Sequence, residues 1–197
     1  MKITSIRQQI KRSNRYSVYV DGKFAFGTSE SQLLNLGLFK NQEITEADLA
    51  ELKQESEIGK VYEKLLNLLS NRPRSEWELR DYLKRKKQNA EIIEKLLNKL
   101  SNSGYVNDRT FARRWVENRR LLKSISRLRL RQELAQKHIA PEIIDEILVD
   151  DKTDERQVLH ELVSRKRVRY PDKLKFMQYL ARQGYSYSDI KDVLEED

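Results

Sequence analysis

Four large apolar residues recur three times at one fixed spacing, and this recurrence limits the fold more than any other feature. Counting from Leu79, Leu83 lies at +4, Ile93 at +14 and Leu97 at +18. From Leu130 the same offsets reach Leu134, Ile144 and Leu148, and from Phe176 they reach Leu180, Ile190 and Leu194. The anchors stand 51 and 46 residues apart. A +4 step is about one helical turn, so each set reads as two helices that each contribute a turn-spaced pair. A period of this length points to an array of similar units. One such unit buries little by itself, so neighbouring units are expected to share surfaces.

Helix-start signals repeat with the same phase. Ser75 and Glu78 make a capping box before the second helix of the first copy. Ser124 or Ser126 takes that place in the second copy and Asp172 in the third. In the third helices, Pro141 sits at a first helical position, where its missing N–H costs nothing, and Ser186 precedes Asp189 by three residues. In the middle copy, Phe111, Trp115, Val116 and Leu122 can share one face of the first helix. Ile143, Ile144, Ile147 and Leu148 form the buried stripe of the third. The expected organisation is three tandem three-helix units over residues 61–107, 108–150 and 151–197.

Residues 1–60 differ from the rest. Tyr16–Val20 and Lys23–Phe26 flank Asp21-Gly22, a strong short-range signal for a two-residue hairpin turn. Two strands alone are marginal, so a third strand from the N-terminus, or a helix, is expected against them. Ser29 and Gln32, then Thr45 and Asp48, signal two short helices. Glu57-Ile58-Gly59 reads as a linker to the repeats. The fold class is therefore mostly α, with three tandem three-helix units behind a small N-terminal β-hairpin and short-helix cap.

Composition narrows the partners. The 197 residues allow one or two domains, and only three prolines and six glycines favour helix. The net charge of +8 suggests nucleic acid, or a protein bound to it, as partner. Cysteine is absent and there are two histidines, so thiolate and histidine-rich metal sites are not expected. No apolar run approaches 18 residues and no hydrophobic leader is evident, so a cytoplasmic protein without membrane contact is expected.

The positive charge is concentrated. From Arg113 to Lys137 nine basic residues face two acidic ones, Glu117 and Glu133. The candidate contact residues are Arg113, Arg114, Arg119, Arg120, Lys123, Arg127, Arg129 and Arg131, joined by Arg80, Lys84 and Arg85 of the first copy. The plainer alternative is a row of solvated helix faces. A further cluster, Arg165, Lys166, Arg167 and Arg169, lies in the third copy, whose charges sum to zero. Helix-turn-helix reading of DNA needs donors such as Arg or Asn on the third helix. Here those helices carry Glu91 and Glu94, then Glu142, Asp145 and Glu146, then Asp189, Asp192, Glu195 and Glu196. Base-specific reading is therefore disfavoured, and phosphate contact is the expected mode.

No catalytic constellation emerges. The glycines are isolated, so no phosphate-cradling loop is present. His138 falls in a turn, and His160 lies on a first helix beside Glu161. Trp77 and Trp115 fall on core-like helical phases.

Three stretches carry a family resemblance. These are Ser75-x-x-Glu78-Leu79-x-x-x-Leu83, Gly104-Tyr105-Val106-Asn107-Asp108-x-x-Phe111-Ala112 and Arg127-x-x-Leu130-x-x-Glu133-Leu134. In order and spacing they resemble the RecX family of recombination regulators, and the similarity extends over nearly the whole chain. It implies tandem three-helix units and a non-enzymatic protein without cofactor. It further implies binding to RecA filaments on single-stranded DNA, with suppression of filament growth and RecA activity. A monomer is expected. The family commonly places glycine after the second helix. Lys87, His138 and Gly184 hold those positions here, so only the last copy keeps it. The runner-up is a sequence-nonspecific DNA-binding module acting through phosphates.

Overall fold

The computed structural model describes residues 1–10 and 12–196. The chain forms two compact units, Met1–Arg72 and Pro73–Asp197.

In the first unit, β1 (Ile3–Gln9), β2 (Arg12–Val20) and β3 (Lys23–Ser29) make an antiparallel sheet in that order. Asp21 and Gly22 both take left-handed backbone, with φ of 47° and 80°, as the two-residue turn demands. The N-terminal residues supply the third strand. Helix α1 (Glu30–Asn35) packs on β2 and β3, and α2 (Glu46–Asn71) packs on β3. Ile3, Val18, Val20, Phe26, Leu38 and Ile44 form the core between these layers.

Two local expectations are corrected here. The capping box at α1 is half made. The Ser29 hydroxyl accepts from the Gln32 N–H at 3.3 Å, but the Gln32 amide donates instead to the Glu55 carbonyl at 2.9 Å. The expected linker at residues 57–59 is also absent, since α2 runs through them without a break. A Cβ on Gly59 would stand 1.6 Å from Gln32 Nε2. This glycine admits a neighbouring side chain and does not end the helix. The Thr45–Asp48 box at the start of α2 is complete, at 3.1 and 2.8 Å.

The second unit is helical throughout its described residues. Helix α3 (Glu76–Arg85) packs on α4 (Ala90–Asn102). Helices α5 (Asp108–Leu122), α6 (Arg127–Gln136) and α7 (Pro141–Asp150) pack on one another. Helix α8 (Glu155–Lys166) leads through a 3-10 turn at Arg167–Arg169 to α9 (Lys173–Arg182) and α10 (Tyr187–Glu196), and α10 packs on both α8 and α9. All twelve positions of the apolar repeat are buried, none above 6% exposure. The helix expected to open the first copy is the C-terminal half of α2, which belongs to the first unit.

The turn after the second helix is the same in all three copies. Lys87, His138 and Gly184 have φ of 57°, 55° and 92°. Each closes a Schellman pair. Gln88 N–H reaches the Leu83 carbonyl, Ile139 N–H that of Leu134, and Tyr185 N–H that of Leu180, at 3.1, 3.2 and 3.4 Å. Lys and His thus adopt here a conformation that favours glycine. Leu122 departs from its expected place: it is 73% exposed, and Ile125 beyond the helix end is buried at 6% in its stead.

Candidate functional site

The second helices mesh from copy to copy. The Ser75 hydroxyl caps α3 and also donates to the Lys137 carbonyl at the end of α6, at 2.9 Å. One copy on, the Ser126 hydroxyl caps α6 and donates to the Gln183 carbonyl at the end of α9, at 2.8 Å. The next amide repeats the pattern. Glu76 N–H donates to Asp108 at 2.8 Å, and Arg127 N–H to Glu155 at 2.9 Å. One residue further, Trp77 stacks on His138 with centroids 3.9 Å apart. Leu128 meets Gly184, where a Cβ would lie 3.4 Å from Leu128 Cβ and 2.4 Å from Ser126 Oγ. Trp77 therefore sits at a junction and is partly exposed, where core packing was expected.

These junctions consume several bases of the expected contact stripe. Arg120 spans from α5 to the third copy, with 11% of its side chain exposed. It holds Asp151 at 2.6 Å, Glu155 at 2.8 Å and the Ile125 carbonyl at 2.6 Å. Burial opposes the Arg120 charge, but its bonds to Asp151 and Glu155 outweigh that and raise its pKa. Burial likewise pushes Asp151 up, and bonds from Thr153 and Arg120 bring it below the ordinary carboxylate value. Arg127 donates from its guanidinium to the Asp151 carbonyl at 3.0 Å. Lys137 reaches Glu78 across the first junction at 2.8 Å.

Other bases pair within their own copy. Arg80 pairs with Glu94 and Glu76, and Arg131 with Asp145. The Arg80–Glu94 and Arg131–Asp145 pairs occupy equivalent positions, so third-helix acids neutralise second-helix bases in both copies. Arg85 pairs with Asp81 at 2.9 Å. Arg119 donates to Glu133 at 2.6 Å while lying 4.6 Å above the Trp115 ring, whose N–H also reaches Glu133. His160 faces Glu196 at 3.1 Å, not the adjacent Glu161.

Five candidates make neither an ion pair nor a side-chain hydrogen bond among the described residues: Lys84, Arg113, Arg114, Lys123 and Arg129. The first four are exposed and Arg129 is half-buried. Arg113 borders a groove of about 630 Å³, lined also by Val116, Leu121 and Ile147 of α5 and α7. The side-chain contacts of the other six join residues 4 to 35 positions apart, and only those within a helical turn are visible in sequence. Among the described residues no group of three His, Asp or Glu could hold a metal ion, and no helix is long and apolar enough to cross a membrane.

Comparison with known proteins agrees along the chain. Residues 1–45 match the model of the regulatory protein RecX N-terminal domain, residues 62–100 that of the RecX first three-helix domain, and residues 107–148 that of the second. A regulatory protein RecX of Listeria monocytogenes serovar 1/2a is 36% identical over 158 residues, covering 80% of this chain and 58% of that protein. The chain thus spans under three-fifths of that relative's length. A regulatory protein RecX of Bacillus velezensis is 29% identical over 202 residues, covering 98% of this chain and 76% of that one. A crystal structure of a regulatory protein RecX superposes with a TM-score of 0.80 at 28% identity, covering 98% of each chain. RecX from Lactobacillus salivarius gives 0.61 at 26% identity, over 71% of this chain and 95% of that one. With three consecutive domain matches and a full-length structural match, the chain belongs to the RecX family.

Proposed function

We propose that this chain is a non-enzymatic regulator of the RecA recombinase, chiefly an inhibitor. It acts as a monomer on the filament that RecA forms on single-stranded DNA, altering subunit addition or loss and with it ATP hydrolysis and strand exchange. The observation that supports this best is a RecX-family array whose middle copy leaves Arg113, Arg114, Lys123 and Arg129 without carboxylate partners. Lys84 extends the set into the first copy. Those five residues are the contacts, while Arg80, Arg85, Arg119, Arg120, Arg127 and Arg131 hold the helices and junctions in place. Free guanidinium and ammonium groups on a rigid stack suit an elongated, negatively charged partner.

The second reading is a sequence-nonspecific DNA-binding module acting through phosphates. The same unpaired bases favour it, and such binding falls steeply with salt. Joint reversal of Arg113, Arg114, Lys123 and Arg129 to Glu tests the contact set. Under the proposal the reversed chain needs at least about tenfold more protein to suppress RecA-driven strand exchange, about 1.4 kcal/mol of lost binding. Its melting temperature stays within a few degrees. Unchanged suppression by the folded variant would refute the contact set.

A further inference from the structure

The third copy sums to zero charge, yet six of its ten bases cluster in one stretch. Residues 165–175, which form the end of α8, the 3-10 turn and the start of α9, hold six bases and one acid. That acid, Asp172, is committed to its helix, accepting from the Lys175 N–H at 3.1 Å. Asp151, Asp154, Glu155 and Glu161 precede this stretch, and four further acids lie on α10, where Glu196 pairs with Arg156 and His160, and Glu195 with Lys191. Arg165, Lys166, Arg169, Lys173 and Lys175 make no ion pair among the described residues, and all but Lys166 are exposed. Arg165 also bonds the Ser124 hydroxyl at 3.2 Å, which brings this corner beside Lys123 of the middle copy.

Apolar and aromatic side chains interleave with these bases. Val168 is 93% exposed and Leu174 is 63% exposed. Tyr170 lies nearly parallel to both Phe176 and Tyr179, at 5.4 and 4.8 Å between centroids. Burial raises the Tyr179 hydroxyl above its ordinary value, followed by the effect of Tyr170, and Arg165 and Arg169 oppose the rise. The two guanidiniums therefore act on the same hydroxyl.

We propose that this corner, Arg165, Arg169 and Lys173 with Val168 and Leu174 between them, is a binding surface for single-stranded nucleic acid. Guanidiniums recognise phosphate oxygens in pairs. The interleaved apolar groups select a single strand over a duplex, because only a strand offers uncovered base faces. Through Lys123 the surface continues the free bases of the middle copy. It extends the proposed function, since a regulator of a strand-bound filament meets the strand, but it is tested without RecA.

The test is fluorescence anisotropy of the full chain with a labelled 30-nucleotide oligothymidine across a salt series. The Arg165→Glu, Arg169→Glu, Lys173→Glu variant is expected to bind at least about tenfold more weakly than the parent. Its salt slope should be shallower by about two, as three lost phosphate contacts require. The neutral variant with Gln at the three positions should lose less, and it stands in if the reversed chain melts early. Val168→Ser with Leu174→Ser should weaken oligothymidine but leave duplex binding alone. An unchanged dissociation constant in a variant with native melting overturns the proposal. So does equal loss on strand and duplex in the serine variant, or binding to anionic phosphatidylserine vesicles with none to oligothymidine. If oligothymidine binding behaves as expected while RecA hydrolysis is untouched, the RecA reading fails and this surface stands.

Discussion

The Ser75 hydroxyl donates to the main-chain oxygen of Lys137, 62 residues ahead, while accepting from the Glu78 N–H of its own helix. The Ser126–Gln183 bond repeats it 57 residues apart. Both serines are fully buried, and each serves one helix terminus as acceptor and the next copy as donor. The array is therefore coupled through side chains that sequence reading recognises only as caps.

Removing either hydroxyl deletes a cap and leaves a part-buried carbonyl without its donor. Ser75→Ala and Ser126→Ala are each expected to cost about 2 kcal/mol. Ser126→Asp keeps the cap but cannot donate, so it should recover only part of that loss. Urea unfolding of the three variants measures this. Full recovery by Asp would show that the link across the junction contributes nothing.

The three equivalent turns respond differently to glycine. Lys87 holds φ of 57° without a close contact requiring its side chain, so Lys87→Gly should stabilise by about 1 kcal/mol. His138→Gly gains the same backbone relief but loses the stack on Trp77, and the net change should be smaller. Gly184→Ala should destabilise by more than about 1 kcal/mol, because its Cβ would meet Ser126 Oγ at 2.4 Å and Arg129 N at 3.2 Å. Thermal melts of the set rank these effects, and a stable Gly184→Ala chain would contradict the close junction.

Much of this fold is legible from pattern. The twelve-residue apolar repeat, the Asp21-Gly22 turn and the Thr45 and Ser75 boxes are all local or periodic signals, and each has its expected counterpart. The errors share a physical origin. Gly59 reads as a break because its reason, the Gln32 amide lying over it, is 27 residues away. Leu122 has the right helical phase for burial, but burial depends on a neighbour, and Ile125 fills that place. The contact stripe is the hardest part. Arg113 and Arg120 look alike in sequence, yet Arg120 is occupied by Asp151 and Glu155 of the next copy. The charge corner at residues 165–175 vanishes when the third copy is summed, because the balancing acids lie at residues 151–161 and on α10.

Gly59 itself is testable. Alanine is intrinsically better than glycine inside a helix by about 1 kcal/mol, so an unobstructed site would gain from Gly59→Ala. Displacement of the Gln32 amide should make the change destabilising instead. In the Gln32→Ala background the sign should reverse, and a double-mutant cycle by urea unfolding reads the coupling directly. Additive effects would show that Gln32 does not occupy this space.

Asp151 sets a pH dependence. With 11% and 8% of their side chains exposed, Arg120 and Asp151 form a largely buried pair, and Asp151→Asn should cost about 3 kcal/mol at pH 7. The folded-state pKa of Asp151 lies below the ordinary 3.8. Its contribution is therefore complete above that value and fades as pH falls through the lower folded value. Asp108 has the opposite sign: burial raises its pKa, so its ionisation opposes folding as pH rises past 3.8. The stability gap between the parent chain and Asp151→Asn should thus narrow in acid below about pH 4. A gap independent of pH from 7 to 2.5 would contradict the assigned pair.

The central claim is action on RecA filaments, and the most direct measurement is RecA-dependent ATP hydrolysis on excess single-stranded DNA. RecA should come from the same source, with this chain added well below the RecA concentration. The account predicts loss of hydrolysis at a small ratio of chain to RecA, because so little protein cannot mask the DNA. Hydrolysis that persists until the chain coats the DNA would contradict it and leave a phosphate-binding module in its place.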